Sequence, residues 1–395
     1  MKVELDREAH QVEVYLERGK HPPLQCPKCG ESCSGYDSLP RRWRHLDTCQ
    51  FETILIADVP RCDCKKHGVH QIRVPWSDPG SHFTALFEAL VIDWLLESTI
   101  SATARLLGLS WDEVDTIMQH AVVRGRSRKE QEVPTRIGVD ETSFRKRHQY
   151  VTVVSDLDEG TVEYVSDNHT RQSLDGFFEA FEREQLEQIE AVSMDMWAPY
   201  IRSVRDNVPD GNSKICFDKF HVAKHLGDSV DKVRRQENRA LVKQGDSRLK
   251  GSRYLWLQNP KNISLGRWYA FGALRNSALK TARAWAIKDV AMSLWNYVRR
   301  PWAEKAWRRW LSWASRSRLR PMVQVSRTIR RHLDGVLNAV VSKVTNAMAE
   351  GINSKIQQVK KRARGFRNRD RFRNAIYFYC GGLDLYPEPC YLSED

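Results

Sequence analysis

Residues 137–156 read IGVDETSFRKRHQYVTVVSD and contain two β-strand patterns separated by a short polar segment. The first apolar run ends at Asp140, and the second ends at Asp156. A third run, 161–165, follows after a turn sequence. Short apolar, β-branched runs at hairpin spacing predict an antiparallel three-stranded meander. This meander decides the fold, because the elements that follow must be placed relative to it.

Beyond the meander, the pattern alternates between helix and strand. The predicted elements are a helix over about 171–187, a fourth strand over 189–195 that ends at Asp195, a helix from about Trp197, and a fifth strand over 215–218. The order βββαβαβα is that of an RNase H-like α/β fold.

An RNase H-like fold brings acids from its first and fourth strands together and adds a third acid from a later helix. Asp140 and Asp195 are the strand acids. Apolar residues at helical spacing between 337 and 348 predict one continuous helix that carries Asn346 and Glu350 on the same strip. Glu350 is therefore the predicted third acid.

Three carboxylates can hold two Mg²⁺ or Mn²⁺ ions about 3.5–4 Å apart, the spacing for in-line displacement at phosphorus. Oxygen ligands suit these hard cations. Glu141 and Asp156 are rival acids, and Asp156 is the stronger rival because it ends the second strand. Each acid taken singly is more often a surface residue, so the hypothesis depends on the combination.

A metal site of another kind is predicted near the N-terminus. Cys26 and Cys29 are two residues apart beside a glycine, so both thiolates can face one Zn²⁺. Cys64 and His67 repeat that spacing and are the preferred second pair, with Cys62 in reserve. Four protein ligands would make this zinc structural. The alternative is a set of free cysteines in an ordinary β module.

The next segment predicts a helix-turn-helix. Its parts are an amphipathic helix from about Phe83, a short helix capped by Ser101, a turn at Gly108, and a second helix over about 110–124 with a capping box of Ser110 and Glu113. The second helix would enter a major groove, and Arg124 and Arg126 would bind DNA. A purely structural helical hairpin is the alternative.

The net charge is +13, with 63 Lys and Arg against 50 Asp and Glu. Such an excess favours a polyanionic partner over a small metabolite, although an ordinary basic surface is the alternative. Residues 299–331 hold eleven basic residues and one acid, and residues 355–373 hold nine and one. The candidate DNA contacts in these two segments are Arg308, Arg309, Lys360, Lys361, Arg362 and Arg364. The second segment would lie along DNA entering the active site.

Eight of the 13 tryptophans lie between Trp256 and Trp313. Trp307, Trp310 and Trp313 recur at a spacing of three within a basic helix. Core packing is the favoured interpretation. The alternative is that an exposed tryptophan stacks on an unpaired base at a DNA end.

Five motifs, in combination and in order, resemble those of the ISL3 family of bacterial insertion-sequence transposases, which carry a DDE catalytic domain. They are GVDETSF (138–144), SMDMWAPY (193–200), FDKFHV (217–222), LKGSRYLWL (249–257) and NAMAEGINSKI (346–356). The resemblance covers nearly the whole chain and implies that Asp140, Asp195 and Glu350 are the DDE triad.

The resemblance also implies that Asp218 and His221 match a D-x-x-H element. His221 would then orient the scissile strand or a carboxylate; helix capping and packing are the alternative. The implied organisation is an RNase H-like core interrupted by an all-helical insertion, after an N-terminal zinc ribbon and helix-turn-helix. The expected domains are 1–80 (ribbon), 81–132 (helix-turn-helix), 133–222 (first part of the core), 223–335 (insertion) and 336–395 (second part of the core, with a basic tail).

The implied function is a DDE transposase that binds terminal inverted repeats on double-stranded DNA, cleaves the strands and joins them to target DNA. Two alternatives stay open: a nuclease or resolvase that does not join strands, and a non-catalytic DNA-binding regulator. A homodimer on paired ends is expected. The sequence has no run of about 18 apolar residues and no signal-like N-terminus, so no membrane association and a cytoplasmic, nucleoid-associated bacterial location are expected.

Overall fold

The computed structural model describes residues 2–17, 23–145, 149–344 and 347–388. The described chain forms two compact units. The first comprises the residues up to 130 together with 359–365 and 370–388, and the second comprises 131–358 and 366–369. No helix among the described residues combines the length and the hydropathy that a membrane span requires.

The first unit begins with a six-stranded sheet. Its strands are β1 (Lys2–Asp6), β2 (Gln11–Leu16), β3 (Leu24–Gln25), β4 (Ser32–Thr48), β5 (Phe51–Cys64) and β6 (Gly68–Gln71). The sheet order is β1-β2-β5-β4-β3, and β6 pairs with the C-terminal part of β5. Its buried clusters are small: one contains Trp43, Ala57 and Val59, and another contains only cysteines. Such a small apolar core needs an additional stabilising element, such as a bound metal.

Three helices follow: α1 (Ala85–Glu97), α2 (Ile100–Leu107) and α3 (Trp111–Arg128). Thr99, rather than the predicted Ser101, caps α2, because its hydroxyl accepts the amide proton of Ala102. Gly108 adopts a left-handed conformation (φ 67°) and turns the chain. The predicted capping box of Ser110 and Glu113 is present at the start of α3. Helix α3 continues to Arg128, about one turn beyond the predicted end near residue 124.

A five-stranded sheet forms the centre of the second unit. In chain order its elements are β7 (Arg136–Arg145), β8 (Gln149–Asp156), β9 (Val162–Asp167), α4 (Arg171–Phe178), α5 (Arg183–Glu187), β10 (Ala191–Met194), α6 (Ala198–Asn207), α7 (Gly211–Lys214) and β11 (Ile215–Phe217). The strand order is β11-β10-β7-β8-β9. The meander β7-β8-β9 is antiparallel, whereas β10 is parallel to β7 and β11 is parallel to β10. One helix was expected over 171–187, but the structure has two.

A helical region follows the sheet. Its helices are α8 (Lys219–Val242), α9 (Arg253–Leu257), α10 (Leu265–Arg275), α11 (Lys280–Ser293), α12 (Arg300–Ser315), α13 (Arg320–Arg331) and α14 (Leu333–Ser342). The chain returns to the sheet through α14, where the Asn338 amide donates to the Ile215 carbonyl over 2.9 Å. A Cβ on Gly335 would lie 2.4 Å from the Phe217 ring, so only glycine allows this approach.

Sheet and helical region share one hydrophobic core. A single cluster of buried side chains extends from Val133, just before β7, to Val340 in α14. It includes Trp256, Trp307 and Trp310, so core packing accounts for these tryptophans.

The last two helices are α15 (Ala347–Arg362) and α16 (Arg369–Cys380). The predicted continuous helix through 337–350 is wrong, because Lys343 adopts a left-handed conformation (φ 56°) and ends α14. Asn346 lies outside the described residues. Helix α16 extends as far as Cys380, beyond the end of the basic segment 355–373.

Candidate functional site

Three aspartates occupy one row across the second sheet. Ser193 pairs with Gly138 of β7, and Met194 pairs with Phe217 of β11. Continuing both parallel registers by one or two residues brings Asp195 level with Asp140 on one side and with Asp218 on the other. Adjacent strands lie about 4.8 Å apart. The sheet therefore aligns three carboxylates, with Asp195 in the centre.

Asp140 is not at a strand end as predicted, since β7 continues to Arg145. The strands β10, next to β7, and β11, next to β10, do end just before their aspartates. The part of β7 beyond Asp140 offers helix α15 (Ala347–Arg362) further residues to contact, such as Thr142.

His221 joins two members of the row. It lies on the first turn of α8, whose N-cap is Asp218. The His221 Nδ1 forms an ion pair with Asp195, and it lies 4.0 Å from an Asp218 oxygen. Its hydrogen bond to Asp195 raises the pKa of the imidazole. The structure thus places His221 against a candidate catalytic carboxylate and on the first turn of a helix, so both roles considered for the D-x-x-H element remain predictions.

Helix α15 docks on the same face of β7. The Asn353 amide donates to Asp140 over 2.6 Å, and the Gln357 amide donates to the Thr142 hydroxyl over 2.7 Å. Four residues of helix rise about 6 Å, and two residues of strand rise about 6.6 Å. The spacing of the two hydrogen bonds along α15 therefore equals their spacing along β7, as expected when the helix runs in the same direction as the strand.

Gly138 permits this docking. A Cβ added there would lie 2.7 Å from Leu157 Cδ2 and 3.2 Å from the Cβ of Ala349. Ala349 directly precedes Glu350. The absence of a side chain at position 138 thus lets the helix that bears the third acid lie close to the sheet.

The acids influence one another electrostatically. Burial raises the pKa of Asp140 from its ordinary 3.8 to about 6, and the charge of Asp195 acts in the same direction. Burial also raises the pKa of Asp218 and that of Glu350. The charge of Asp218 contributes to the shift at Glu350, whereas that of His221 opposes it. Asp140, Asp218 and Glu350 therefore share a raised pKa, and the negative charge of Asp195 contributes to the shifts at Asp140 and Asp218.

Carboxylate oxygens in such a group are the donors that Mg²⁺ and Mn²⁺ prefer. The side chains present fit hard divalent ions, because a cation would offset the burial and mutual repulsion of the acids.

Of the two rival acids, Asp156 has a structural role: its side chain accepts the amide protons of Asp158 and Glu159 and closes the turn between β8 and β9. Glu141 follows Asp140 in β7 and is exposed. Sequence reasoning did not include Asp218 and Asn353 among the site residues. Asp218 directly follows β11, just as Asp195 directly follows β10, and this was a usable signal. The contact between the Asn353 amide and the Asp140 carboxylate was not visible in the sequence.

The first unit holds a second donor set. Sulfur and ring-nitrogen atoms of Cys26, Cys29, Cys64 and His67 all lie within 4.8 Å of one another, the only such set among the described residues. The Cys64 sulfur lies 3.6 Å from His67 Nδ1 and 3.8 Å from the Cys29 sulfur. The Lys66 backbone amide lowers the pKa of Cys64 to about 7, which favours the thiolate. Cys62 is buried outside this set, 3.8 Å from the Gln25 carbonyl. Three thiolates and an imidazole fit a closed structural zinc site.

The predicted DNA-contacting arginines of α3 have partners within the first unit. Arg124 pairs with Asp78 and with the buried Glu88, and it also donates to the Leu385 carbonyl. Arg126 lies over the Tyr377 ring, 4.5 Å from its centroid. Both arginines thus contribute to the packing of the unit.

The other predicted basic contacts differ in their surroundings. Arg308 pairs with Glu304 on its own helix, whereas the adjacent Arg309 is exposed and lines a cavity. Arg362 donates to the Glu97 carbonyl. Burial lowers the pKa of Lys360. Lys361 and Arg364 are exposed, and Arg364 has a positive φ of 54°.

Comparison with known families agrees with this architecture. The ISL3 model described as "Transposase" matches residues 137–376. The "Helix-turn-helix domain of transposase family ISL3" matches residues 72–122, and the "zinc-finger of transposase IS204/IS1001/IS1096/IS1165" matches residues 22–67. These matches confirm the predicted zinc ribbon, helix-turn-helix and DDE domain.

Curated relatives agree as well. The transposase for insertion sequence element IS1557 of Mycobacterium tuberculosis is 28% identical over 370 residues, which cover 87% of this chain and 83% of the relative. The transposase for insertion sequence element IS1001 of Bordetella parapertussis is 26% identical over 366 residues, covering 91% and 89%. The family matches span most of the chain, and the order of their domains is that of the structure. The chain therefore belongs to the ISL3 family of transposases.

Proposed function

We propose that Asp140, Asp195 and Glu350 hold two Mg²⁺ or Mn²⁺ ions and that this site cleaves and joins DNA strands. The observation that carries the proposal is the position of the three carboxylates. Two lie in one row of the sheet, and the third lies on a helix that is hydrogen-bonded beside Asp140. The strand order β11-β10-β7-β8-β9 supports an RNase H-like core, with α8 to α14 as its helical insertion.

The chain's own residues prepare this site. Asn353 fixes one oxygen of Asp140, and the backbone amide of Glu141 donates to the other over 2.7 Å. His221 orients Asp195. These positioning contacts hold the carboxylates in place before substrate binds, which reduces reorganisation during the reaction. The divalent ions would activate the attacking oxygen and stabilise the leaving oxygen.

Transposition requires that the site act on particular DNA ends. We propose that the helix-turn-helix, with the zinc ribbon, binds the terminal inverted repeats as double-stranded DNA. The ribbon zinc, held by Cys26, Cys29, Cys64 and His67, would keep this module folded. Two ends must be handled together, so we propose a homodimer on paired ends. The basic residues Lys361 and Arg364 follow Glu350 in the sequence and would contact DNA.

Strand-transfer assays with duplexes carrying the element's terminal repeats test this function. We expect the full-length protein to nick these duplexes and join them to target DNA when Mg²⁺ or Mn²⁺ is present. The variants Asp195→Asn and Glu350→Gln should lose both steps by several orders of magnitude but still bind the ends. Asp156→Asn is the matched control, because Asp156 only closes a turn, and it should keep most activity.

Other outcomes would favour the alternatives. Nicking without joining by the unmodified protein would indicate a nuclease or resolvase. End binding with no cleavage under any divalent ion would indicate a regulator. Full activity of Glu350→Gln would contradict the assignment of the third carboxylate.

A further inference from the structure

A basic cavity lies in the helical region, apart from the carboxylates. Helix α11 contributes Arg283, helix α12 contributes Arg309 and Trp313, and the turn after α12 contributes Arg316 and Arg318. The cavity has a volume of about 680 Å³, within the range of small-ligand pockets. The proposed function does not account for this group of side chains.

The cavity carries uncompensated positive charge. No carboxylate lines it. Arg316 donates to the Ser312 hydroxyl, and in the described part of the chain Arg283, Arg309 and Arg318 form no ion pair with an acid. Four neighbouring guanidinium groups repel one another unless an anion binds between them. The chemistry of the lining therefore fits phosphate groups.

An aromatic face adjoins these charges. Trp307 and Trp310 are buried, whereas Trp313, one turn further along α12, is 39% exposed. The Trp310 indole donates to the Ile287 carbonyl over 2.8 Å and fixes α12 against α11. Trp313 is thereby held at the cavity wall rather than on a free segment.

We propose that this cavity binds a single-stranded DNA segment, with its phosphates on the arginines and one unpaired base stacked on Trp313. Stacking on an aromatic side chain requires a base that is not already stacked inside a duplex. Arginine and tryptophan side by side are the combination that binds single strands without reading their sequence. The inference rests on the proposed function, because strand cleavage at an element end is what would supply the unpaired bases.

The test compares two forms of one DNA end in a fluorescence anisotropy assay with the full-length protein. The probes are a blunt duplex bearing the terminal repeat and the same duplex with a four-nucleotide single-stranded extension. We expect Trp313→Ala to weaken binding of the extended probe by about tenfold. Binding of the blunt probe should not change. Trp302→Ala is the control, because Trp302 is 59% exposed on the same helix but does not line the cavity.

An adjacent arginine pair tests the phosphate contact. Arg309→Gln should weaken binding of the extended probe and reduce the slope of log Kd against log salt by about 0.7, the effect of one single-strand phosphate contact. Arg308→Gln removes the same charge from a side chain already paired with Glu304 and should change neither quantity.

Equal binding of the extended probe by Trp313→Ala and Trp302→Ala would overturn the stacking inference, as would equal salt slopes for the two arginine variants. The proposed function can fail separately. An unmodified protein that binds the extended probe in this way but never cuts a terminal repeat would contradict the catalytic assignment and leave the cavity assignment intact. All four variants change exposed side chains, so thermal melting should show that each is folded.

Discussion

Replacing Asp140 by asparagine should stabilise the metal-free protein at neutral pH while abolishing strand cleavage. Asp140 accepts hydrogen bonds from Asn353 and from the Glu141 backbone, and it lies near Asp195. Asparagine has nearly the same shape: its oxygen can accept the Glu141 backbone proton, and its NH2 group can donate to the otherwise unpartnered Asn353 oxygen once the Asn353 amide rotates by 180°. The substitution therefore removes a charge with little disturbance to the packing.

The magnitude follows from the pKa of Asp140, which burial raises from 3.8 to about 6. The folded state binds this proton more tightly than the unfolded state, so stability falls as pH rises through the window from 3.8 to 6. About two pKa units correspond to about 3 kcal/mol. An asparagine at this position has no proton to lose. Asp140→Asn should therefore be more stable by about 3 kcal/mol at pH 8, by about half of that at pH 5, and by little below pH 4.

Urea denaturation in EDTA, followed by tryptophan fluorescence, measures this difference. Most tryptophans lie in the helical region that shares a core with β7, so the signal reports the unit that contains Asp140. The control is Asp228→Asn, which removes a carboxylate from an exposed position on α8. Its effect at pH 8 should stay within about 0.5 kcal/mol.

Divalent ions should cancel most of this difference. An ion that binds only the folded state at one hundred times its Kd adds about 2.7 kcal/mol of stability. The unmodified protein should gain this in Mg²⁺, and Asp140→Asn should gain little. The reasoning is refuted if Asp140→Asn is no more stable at pH 8 in EDTA, or if its excess stability does not decrease between pH 8 and pH 5.

Three further substitutions test the structure. Gly138→Ala places a methyl group against Leu157 and α15, so it should cost about 1–3 kcal/mol in urea denaturation and reduce cleavage, whereas Gly351→Ala, which meets open space on a helix, should be neutral or stabilising. Cys64→Ser should lower the zinc content found by mass spectrometry to well below one per chain, and an unchanged content in Cys33→Ser would show that the loss is specific. Arg124→Ala leaves a buried glutamate unpaired and should cost about 3–5 kcal/mol; a melting temperature equal to that of the unmodified protein would contradict the structural role of this arginine.

The Cys26, Cys29, Cys64 and His67 cluster and the position of Asp195 beside Asp140 could be predicted because their signals are local. Two residues between ligands bring both onto one turn. Asp195 directly follows a buried parallel strand, and although β7 continues past Asp140, the parallel register still brings the two aspartates level. Glu350 does lie on a helix, as predicted, but the apolar spacing used to predict that helix spanned two separate helices, α14 and α15. The contact between Asn353 and Asp140 joins residues more than 200 positions apart, and no local pattern reveals it.

Other features depend on context that the sequence does not express. The apolar pattern continues through Lys343, so the break between α14 and α15 leaves no trace in the periodicity, and lysine is not a residue expected at positive φ. Charge counting treats all arginines alike. Only the structure separates Arg124, which is neutralised inside its unit, from Arg309, which is not.

The continuous core between the sheet and the helical region has a consequence for how such proteins diversify. An insertion with its own core can be exchanged between relatives as a unit, because few of its buried contacts are with the surrounding domain. Here the buried tryptophans belong to the same cluster as the strands that carry the aspartates. A chimera that took α8 to α14 from a distant relative would have to bring matching sheet-facing residues with it. Drift in the helical region is thus constrained by the catalytic sheet, and the two are expected to be inherited together.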